Sequence, residues 1–398
     1  MAPNENTTDD TKLILRERQD NEGWYKLSFD NGYIGQYPYV WLKDNCRCSA
    51  CYQPSAWQRT SHIADLDPEI IPQSDDITDG GAGFRIIWPG GHRSDFLAEW
   101  LNRQRFSETE KDFVDGQKLA IWGAEMDTAV EKFDFNKIVT SDTELYNWLC
   151  ILGSKGMAMV QGAPLKVGAV GQLAKRVAYL RTTVYGDTFQ VFSKLDASSV
   201  AFTPKSLGLH IDQLFYEYIP GIQMLHCIEQ AGEGGENQFV DGVNIAEQLK
   251  RDYPEEYQIL RSTQIDFRDA GDDHLRYHLK SRRPMIQYDR HGNFMCINYS
   301  DHCRSTELSL PVDQVKKLYK AIKVFNSVMY RPENVFTHRM EPGEIMTFSN
   351  GRVMHGRSAF KLTSGSGSRH LEGGYFDWDE AKSTLRVLRE NLFGDKRL

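Results

Sequence analysis

Hydrophobic and polar positions divide the chain into two patterned stretches with an irregular one between them. In residues 13–105, short alternating segments such as WYKLSF and FRIIW are separated by Gly and Pro turns, and a helical pattern, DFLAEWLNRQ, follows them. This pattern predicts a small β-rich module closed by one helix. Residues 106–140 are charged and irregular, so we expect the connection between two domains there.

The second patterned stretch, residues 141–398, combines a few helical segments with many strands. TELYNWLCILGSKG and DQVKKLYKAIKVFNSVMY have helical spacing, whereas GIQMLHCIEQ, EIMTFSN and RVMHGRSAF have the character of strands. Many strands with few helices and long connections favour a double-sheet jelly roll over an alternating βαβ fold. The predicted fold class is therefore mainly β with helical insertions: a double-stranded β-helix (jelly-roll) catalytic domain plus the β-rich N-terminal module.

Composition and charge exclude several classes of protein. Of the 398 residues, 40% are hydrophobic and 26% charged, as in globular domains, and no apolar run approaches the roughly 20 residues that span a bilayer. A formal net charge of −8 argues against duplex nucleic acid as a ligand. Residues 1–12 are polar and acidic, unlike an Arg-rich transit peptide, so we expect a disordered tail on a cytoplasmic protein.

The seven cysteines point to reduced thiols and to one metal site. An odd number in a long chain makes a disulfide framework a poor interpretation. Cys46, Cys48 and Cys51 lie within six residues, and His92 in the turn PGGHRSDF offers a fourth ligand at the other end of the same module. Three Cys and one His suit a closed, structural Zn(II) site. The alternative is a set of reduced surface thiols with His92 as an exposed turn residue.

A second group of candidate ligands lies in the predicted jelly roll. His210 and Asp212, in LGLHIDQLF, would point to the same face of a strand, and His355 follows the strand-like segment EIMTFSN and a glycine turn. Two His and one carboxylate with open positions are the ligand set of non-haem Fe(II) oxygenases. A His-x-Asp pair on its own is as often ordinary turn or surface chemistry, so His355 and the jelly-roll context carry this hypothesis.

If the co-substrate of such an iron is 2-oxoglutarate, its distal carboxylate needs a buried cation. Arg binds carboxylates bidentately, and Arg369 in SRHLEGGYFDW would face the interior of the same barrel. Arg357 lies closer to His355 in the sequence, but we interpret it as a surface or backbone-pairing residue.

The quoted motifs together resemble one family. WLKDNCRCSACY, HID, GIQMLHCIEQ followed by GGENQFVDG, RVMHGR and SRHLEGGYFDWD resemble the γ-butyrobetaine hydroxylases, from about Tyr25 to Leu392. Trimethyllysine hydroxylases are similar over the same span, but they carry Ser at the position of Cys48 and lack SRHLEG. The resemblance implies hydroxylation of γ-butyrobetaine to L-carnitine with release of succinate and CO2. It also implies Fe(II), structural Zn(II), 2-oxoglutarate and O2, with ascorbate as a candidate reductant of the iron, and a homodimer.

The resemblance further implies how the substrate is held. A trimethylammonium has no N–H to donate, so aromatic faces bind it by cation–π attraction. The aromatic cage of the family falls on Tyr185, Phe189, Phe202 and Tyr375, with Phe189 in place of a Trp and Phe202 in place of a Tyr. Two Asn that bind the substrate carboxylate in the family correspond to Ser199 and Ser300.

Two alternatives therefore stay open beside γ-butyrobetaine. One is the same chemistry on trimethyllysine or another quaternary-ammonium or amino-acid-derived substrate, favoured by the two Ser positions. The other is a catalytically silent metal-binding protein with the same fold, against which the intact set His210, Asp212, His355 and Arg369 argues.

Overall fold

The structure is a computed structural model. It describes residues 11–104, 106, 113–192, 205–231, 233–361 and 369–394. Most of the tail that we expect to be disordered, residues 1–10, lies outside the described residues, as do Ser199 and Phe202. The chain divides into two compact units, one of residues 1–110 with 393–398 and one of residues 111–392.

The first unit is built from short antiparallel strands. Its elements are β1 (Leu13–Gln19), β2 (Trp24–Phe29), β3 (Ile34–Pro38), α1 (Tyr39–Asp44), β4 (Tyr52–Gln53), β5 (Gln58–Arg59), β6 (Ser74–Thr78), β7 (Gly83–Ile87), β8 (Arg93–Leu97) and α2 (Ala98–Arg103). Strands β1–β3 and β6–β8 form two three-stranded sheets. Every second residue of β2 is buried, so the alternation in WYKLSF places one face of that strand in the core.

The second unit contains the long helices and two larger sheets. Its helices are α3 (Met126–Ala129), α4 (Phe135–Thr140), α5 (Asp142–Lys155), α6 (Ala169–Val177), α7 (Gly242–Asp252), α8 (Pro254–Ser262), α9 (Val312–Met329) and α10 (Trp378–Phe393). Its strands are β9 (Lys132–Asp134), β10 (Met157–Gln161), β11 (Thr188–Phe192), β12 (Leu207–His210), β13 (Ile222–Glu229), β14 (Glu233–Gly234), β15 (Asn237–Asp241), β16 (Gln264–Asp272), β17 (Arg276–Pro284), β18 (Ile286–Tyr288), β19 (Phe294–Ile297), β20 (Phe336–His338), β21 (Ile345–Ser349), β22 (Val353–Arg357), β23 (Phe360–Lys361) and β24 (His370–Phe376).

The two larger sheets pack face to face. One has the strand order β11-β24-β13-β21-β10-β9 and the other the order β12-β22-β15-β20. Met346 and Leu371 of the first sheet share a buried cluster with Phe239 and Val353 of the second. Neighbouring residues on the same strands point outward, and helices pack on them. This layering is the jelly roll with helical insertions, so the fold-class prediction is confirmed.

The segment between the two predicted domains contains regular structure. Helix α3, strand β9 and helix α4 lie within residues 126–140. Strand β9 pairs in parallel with β10 and so adds an edge strand to the larger sheet of the second unit. Among the described residues, no helix combines the length and the apolar character that a membrane span requires.

Strand pairing in the second unit sets up a site between the sheets. β12 and β22 are antiparallel, and their register places His210 directly opposite His355. β13 pairs with β24, which places Gln223 opposite Tyr375. Side chains alternate along a strand, so these four residues face the space between the sheets, whereas their neighbours on each strand face the outer helices.

Candidate active site and metal centres

The two predicted iron-ligand histidines and Asp212 meet at one end of the space between the sheets. Their candidate ligand atoms all lie within 4.8 Å of one another. His210 Nε2 lies 3.0 Å from Asp212 Oδ1, and His355 Nε2 lies 3.8 Å from Asp212 Oδ2. Adjacent donors of an octahedral ion with bonds of about 2.1 Å lie about 3.0 Å apart. The spacing of His210 Nε2 and Asp212 Oδ1 matches this value, and the donor set of two His and one carboxylate fits Fe(II).

The hydrogen bonds of His210 leave the correct nitrogen for a metal. Its Nδ1 lies 2.8 Å from the carbonyl oxygen of Gly208 and donates to it, so Nε2, which lies 3.0 Å from Asp212 Oδ1, is the nitrogen that would bind a metal. Burial, together with the nearby His210, lowers the pKa of His355 to about 3, so its imidazole is neutral, as a ligand must be.

The local backbone around Asp212 differs from the simple strand that the sequence predicts. Strand β12 ends at His210, and Asp212 lies at the start of the turn that follows, where Gln213 has a left-handed φ of 57°. The Asp212 backbone is held by Asn350, whose Oδ1 accepts from the Asp212 N–H at 3.0 Å and whose Nδ2 donates to the Asp212 carbonyl at 3.1 Å. The turn is thus fixed from the loop after β21 rather than by strand pairing.

Two further side chains orient the Asp212 carboxylate. Both the Tyr375 hydroxyl, at 2.7 Å, and Gln223 Nε2, at 2.8 Å, donate to Asp212 Oδ2. Burial opposes ionisation, but the two imidazoles and the Tyr375 hydroxyl lower the pKa of Asp212 below its usual range. Oδ2 is thus occupied by hydrogen bonds, and Oδ1 points to His210.

Sequence reasoning missed Gln223 and Asn350. The signal for Gln223 was present, since it is a polar residue within the apolar strand segment GIQMLHC.

Arg369 lies deep between the sheets, just before β24, and is only 3% exposed. Its Nε has no hydrogen-bond partner among the described residues. A cavity of about 80 Å³ is lined by Arg369, by the three metal-ligand candidates and by Arg357, among other residues. Burial and the neighbouring Arg357 lower the pKa of Arg369. A buried, incompletely bonded guanidinium in a cavity that also reaches the metal site fits the distal carboxylate of 2-oxoglutarate.

The interpretation of Arg357 as a surface residue is wrong, although its backbone pairing is observed. Arg357 is 5% exposed, and its Nη2 donates to the carbonyl oxygen of Lys205 at 2.6 Å. It lies at the inward-facing position two residues after His355 on β22, so the alternation of the strand places it in the same cavity. The local sequence carries this signal, because Arg357 stands two residues after His355 as Asp212 stands two residues after His210.

Three residues of the expected aromatic cage lie together beside the metal ligands. The ring centroids of Phe189 and Tyr375 are 5.5 Å apart, and those of Tyr185 and Phe189 are 6.4 Å apart. Phe189 faces Gly373 across the β11–β24 pair, where an added Cβ would come within 2.1 Å of the ring. Ser300 is buried. Its segment lies next to the site, because the ring centroid of His302 is 5.6 Å from that of His210.

The N-terminal cysteine cluster forms a compact group in the first unit. His92 Nε2 lies 3.3, 3.8 and 3.6 Å from the Sγ atoms of Cys46, Cys48 and Cys51. Around a tetrahedral zinc with Zn–S of about 2.3 Å and Zn–N of about 2.0–2.1 Å, N and S ligands are about 3.6 Å apart. The donor set and its spacing therefore fit Zn(II), and the group contains no open position for substrate.

A jelly roll that brings two His, one Asp and a buried Arg to a single cavity has the features of a non-haem iron oxygenase. Residues 115–375 match the family described as "Taurine catabolism dioxygenase TauD, TfdA family". Residues 17–102 match "Gamma-butyrobetaine hydroxylase-like, N-terminal". The chain belongs to the TauD and TfdA dioxygenases.

Within that family, similarity to individual proteins is more specific. The chain is 38% identical to the gamma-butyrobetaine dioxygenase of Homo sapiens over 360 residues, covering 89% of this chain and 92% of the relative. It is 32% identical to the gamma-butyrobetaine dioxygenase of Pseudomonas sp. (strain AK-1), covering 91% and 93%. The mitochondrial trimethyllysine dioxygenase of Bos taurus is 28% identical, with coverage of 93% and 86%. The chain is thus a member of the γ-butyrobetaine hydroxylase family, as its motifs predict.

Proposed function

We propose that this protein hydroxylates γ-butyrobetaine to L-carnitine in a reaction that depends on Fe(II), 2-oxoglutarate and O2 and releases succinate and CO2. The observation that carries the proposal is the position of Tyr375. Its ring belongs to the aromatic group with Phe189, and its hydroxyl donates to Asp212 at 2.7 Å. A trimethylammonium held by these rings would lie beside the metal ligands.

His210, Asp212 and His355 would hold the Fe(II). When bound there, the iron would supply the activation of O2, coupled to the oxidative decarboxylation of 2-oxoglutarate. The protein contributes position: Arg369 anchors the distal carboxylate of the co-substrate, while Gln223 and Tyr375 keep the Asp212 carboxylate in one orientation. The Fe(II) is oxidised easily in solution, so ascorbate would serve to keep it reduced.

The cage would fix one end of the substrate. Tyr185, Phe189 and Tyr375 offer aromatic faces to the quaternary ammonium, and the distance from cage to iron then selects the carbon that reacts. Ser300 is buried near the site and would donate one hydroxyl hydrogen bond to the substrate carboxylate. A Ser offers fewer donors than the Asn of the family, so we expect a weaker grip on that carboxylate.

The proposal includes a structural zinc, a reducing compartment and a dimer. All seven cysteines lie in the described part of the chain and are free, which supports a cytoplasmic location. The homodimer rests on the family resemblance, and light scattering coupled to gel filtration tests it. We expect small-molecule substrates only, without nucleic acid or membrane partners.

Substrate identity is tested by comparing γ-butyrobetaine, trimethyllysine and other quaternary amines in a succinate assay. We expect γ-butyrobetaine to give the highest kcat/KM. The variant Phe189→Ala should raise its KM about two- to thirtyfold, since each lost cation–π contact is worth about 0.5–2 kcal/mol. The matched control is Phe192→Ala, on the same strand but on the opposite, outward face. A higher kcat/KM for trimethyllysine, or no turnover of γ-butyrobetaine, would overturn the proposal.

A further inference from the structure

The first unit contains a cavity that the proposed function does not use. It has a volume of about 240 Å³ and is lined, among others, by two arginines, Arg47 and Arg59, and by three aromatic residues, Tyr52, Trp57 and Trp100. This volume lies just below the roughly 300–1,000 Å³ of pockets that bind drug-sized molecules, so it would suit a smaller ligand. Aromatic rings next to guanidinium groups favour a ligand that has both a flat ring and a negative charge.

Arg47 is held by aromatic rings rather than by a carboxylate. Its Cζ atom lies 4.2 Å from the ring centroid of Tyr52 and 5.1 Å from that of Trp100. Trp100 in turn stacks on Trp41 and Phe96, with centroid distances of 5.4 and 5.7 Å. In the part of the chain that the structure describes, Arg47 forms no ion pair. Ring contacts use the flat side of a guanidinium, and its N–H donors, which lie in the plane, stay available for an anion.

Arg59 brings a second positive charge to the cavity. Its Nη2 donates to Asn45 Oδ1 at 2.7 Å and its Nε donates to the carbonyl oxygen of Asp44 at 3.2 Å, so the guanidinium is held in place. The Asp44 carboxylate lies 3.3 Å from the same Nε and balances one of the two arginine charges. The described residues that line the cavity include no Asp or Glu, so an anion would meet no carboxylate there.

Trp57 presents its ring at a cost to the backbone. It lies in the turn between β4 and β5 with a φ of 55°, in the left-handed region that favours glycine. A bulky residue is strained there, and strained residues of this kind cluster at ligand sites. Trp57 is also 61% exposed, so burial of its side chain does little to offset the strain. The ring therefore contributes more to the cavity than to the core of the unit.

We propose that this cavity binds a small aromatic anion. The carboxylate or phosphate of the ligand accepts hydrogen bonds from Arg47 and Arg59, and its ring packs against Trp57. Carboxylate and phosphate share this chemistry, because both present two oxygens to a guanidinium. The site belongs to the first unit, whereas the proposed reaction uses residues of the second.

Two fluorinated anions and a neutral analogue test the site. Binding of 4-fluorophenyl phosphate, 4-fluorobenzoate and 4-fluorobenzamide to the full-length protein, supplied with zinc, is followed by fluorine NMR of the probe. We expect saturable binding of at least one anion, with a Kd about tenfold or more below that of the neutral amide, since hydrogen bonds between charged groups are stronger. The tighter anion shows which of the two groups the site takes.

Variants locate the binding. Arg47→Gln and Arg59→Gln should each raise the Kd about tenfold or more, because a charge-assisted hydrogen bond is lost. The control Arg85→Gln removes an arginine of the same unit that pairs with Asp95 outside the cavity, and it should leave the Kd unchanged. Trp57→Gly should raise the Kd about two- to tenfold through the lost ring contact. It should leave the melting temperature unchanged or raise it, because glycine accepts a left-handed φ.

The alternative is that the two arginines only balance the negative charge of zinc-bound thiolates. In that case neither anion binds saturably, the neutral amide binds as tightly, or the Kd is the same in Arg47→Gln and Arg59→Gln as in the parent, and the assignment is wrong. A clearly lower melting temperature of Trp57→Gly would show that the ring supports the fold instead. Zinc content, measured by mass spectrometry, checks that each variant keeps the module folded. If Arg47→Gln loses zinc, Arg59→Gln and Trp57→Gly decide.

Discussion

Asp212 controls the geometry of the metal site because three side chains fix it. Its backbone is held by Asn350, and its Oδ2 accepts hydrogen bonds from Gln223 and Tyr375. Partners of this kind orient a ligand and strengthen metal binding. Tyr375 also belongs to the aromatic group, so one residue connects the substrate cage to the iron ligand.

The variant Tyr375→Phe tests this connection. It keeps the ring and removes the hydroxyl, so Asp212 loses one of the two donors to Oδ2. We expect the Kd for Fe(II), measured by anaerobic titration without substrate, to rise about 10- to 100-fold. Tyr299→Phe is the control, because that buried hydroxyl donates to Asp301 instead. An unchanged Kd in Tyr375→Phe would show that the hydroxyl does not support the metal ligand.

At the scale of elements, the loop between β21 and β22 holds the jelly roll together at the site. Arg352 in this loop forms a buried, bidentate ion pair with Asp241, at 2.9 and 2.8 Å. It also donates to the carbonyl oxygens of Ser154 and Ala120. The same loop carries Asn350 and leads to His355, so the ion pair positions one metal ligand and the support of another.

We expect Arg352→Met to lower the free energy of unfolding by about 3–5 kcal/mol, since it leaves the Asp241 carboxylate buried without its cation. Urea denaturation followed by circular dichroism measures this. The comparison is Arg251→Met, which removes an exposed ion pair with Asp252 and should leave the stability nearly unchanged. Equal effects in the two variants would contradict the structural role of Arg352.

The pairing of strands also decides which parts of the site the sequence could predict. His210, Asp212, His355 and Arg369 were predictable because their residue types and the character of their segments point to one chemistry. The contact of Gln223 with Asp212 joins strand β13 of one sheet to the turn after β12 of the other. Which strands form the two facing sheets depends on pairings between segments more than a hundred residues apart, such as β13 with β24, and no local pattern encodes them.

At the scale of the whole molecule, the two units have separate sources of stability. Among the described residues, the second unit has three large buried clusters, whereas the first has one. A small domain with a limited core gains stability from a bound metal. The cluster of Cys46, Cys48, Cys51 and His92 joins the end of α1 to the start of β8, so zinc would link two distant parts of this unit.

We expect one zinc per chain, measured by mass spectrometry of the metal content. Removing it with a chelator, or by Cys51→Ser, should reduce the hydrogen-exchange protection of β7 and β8. Protection of β13 and β21 in the second unit should be retained. Full protection of β7 and β8 in metal-free protein would rule out a structural zinc.

We propose that His210, Asp212 and His355, with Arg369 for the co-substrate, carry out the hydroxylation of γ-butyrobetaine. The most direct measurement follows 2-oxoglutarate, succinate and L-carnitine together by NMR in the Fe(II)-loaded enzyme. We expect one succinate and one L-carnitine for each 2-oxoglutarate consumed, and neither product in His355→Ala. Succinate formed at the parental rate by His355→Ala, or formed without hydroxylation of γ-butyrobetaine, would contradict it.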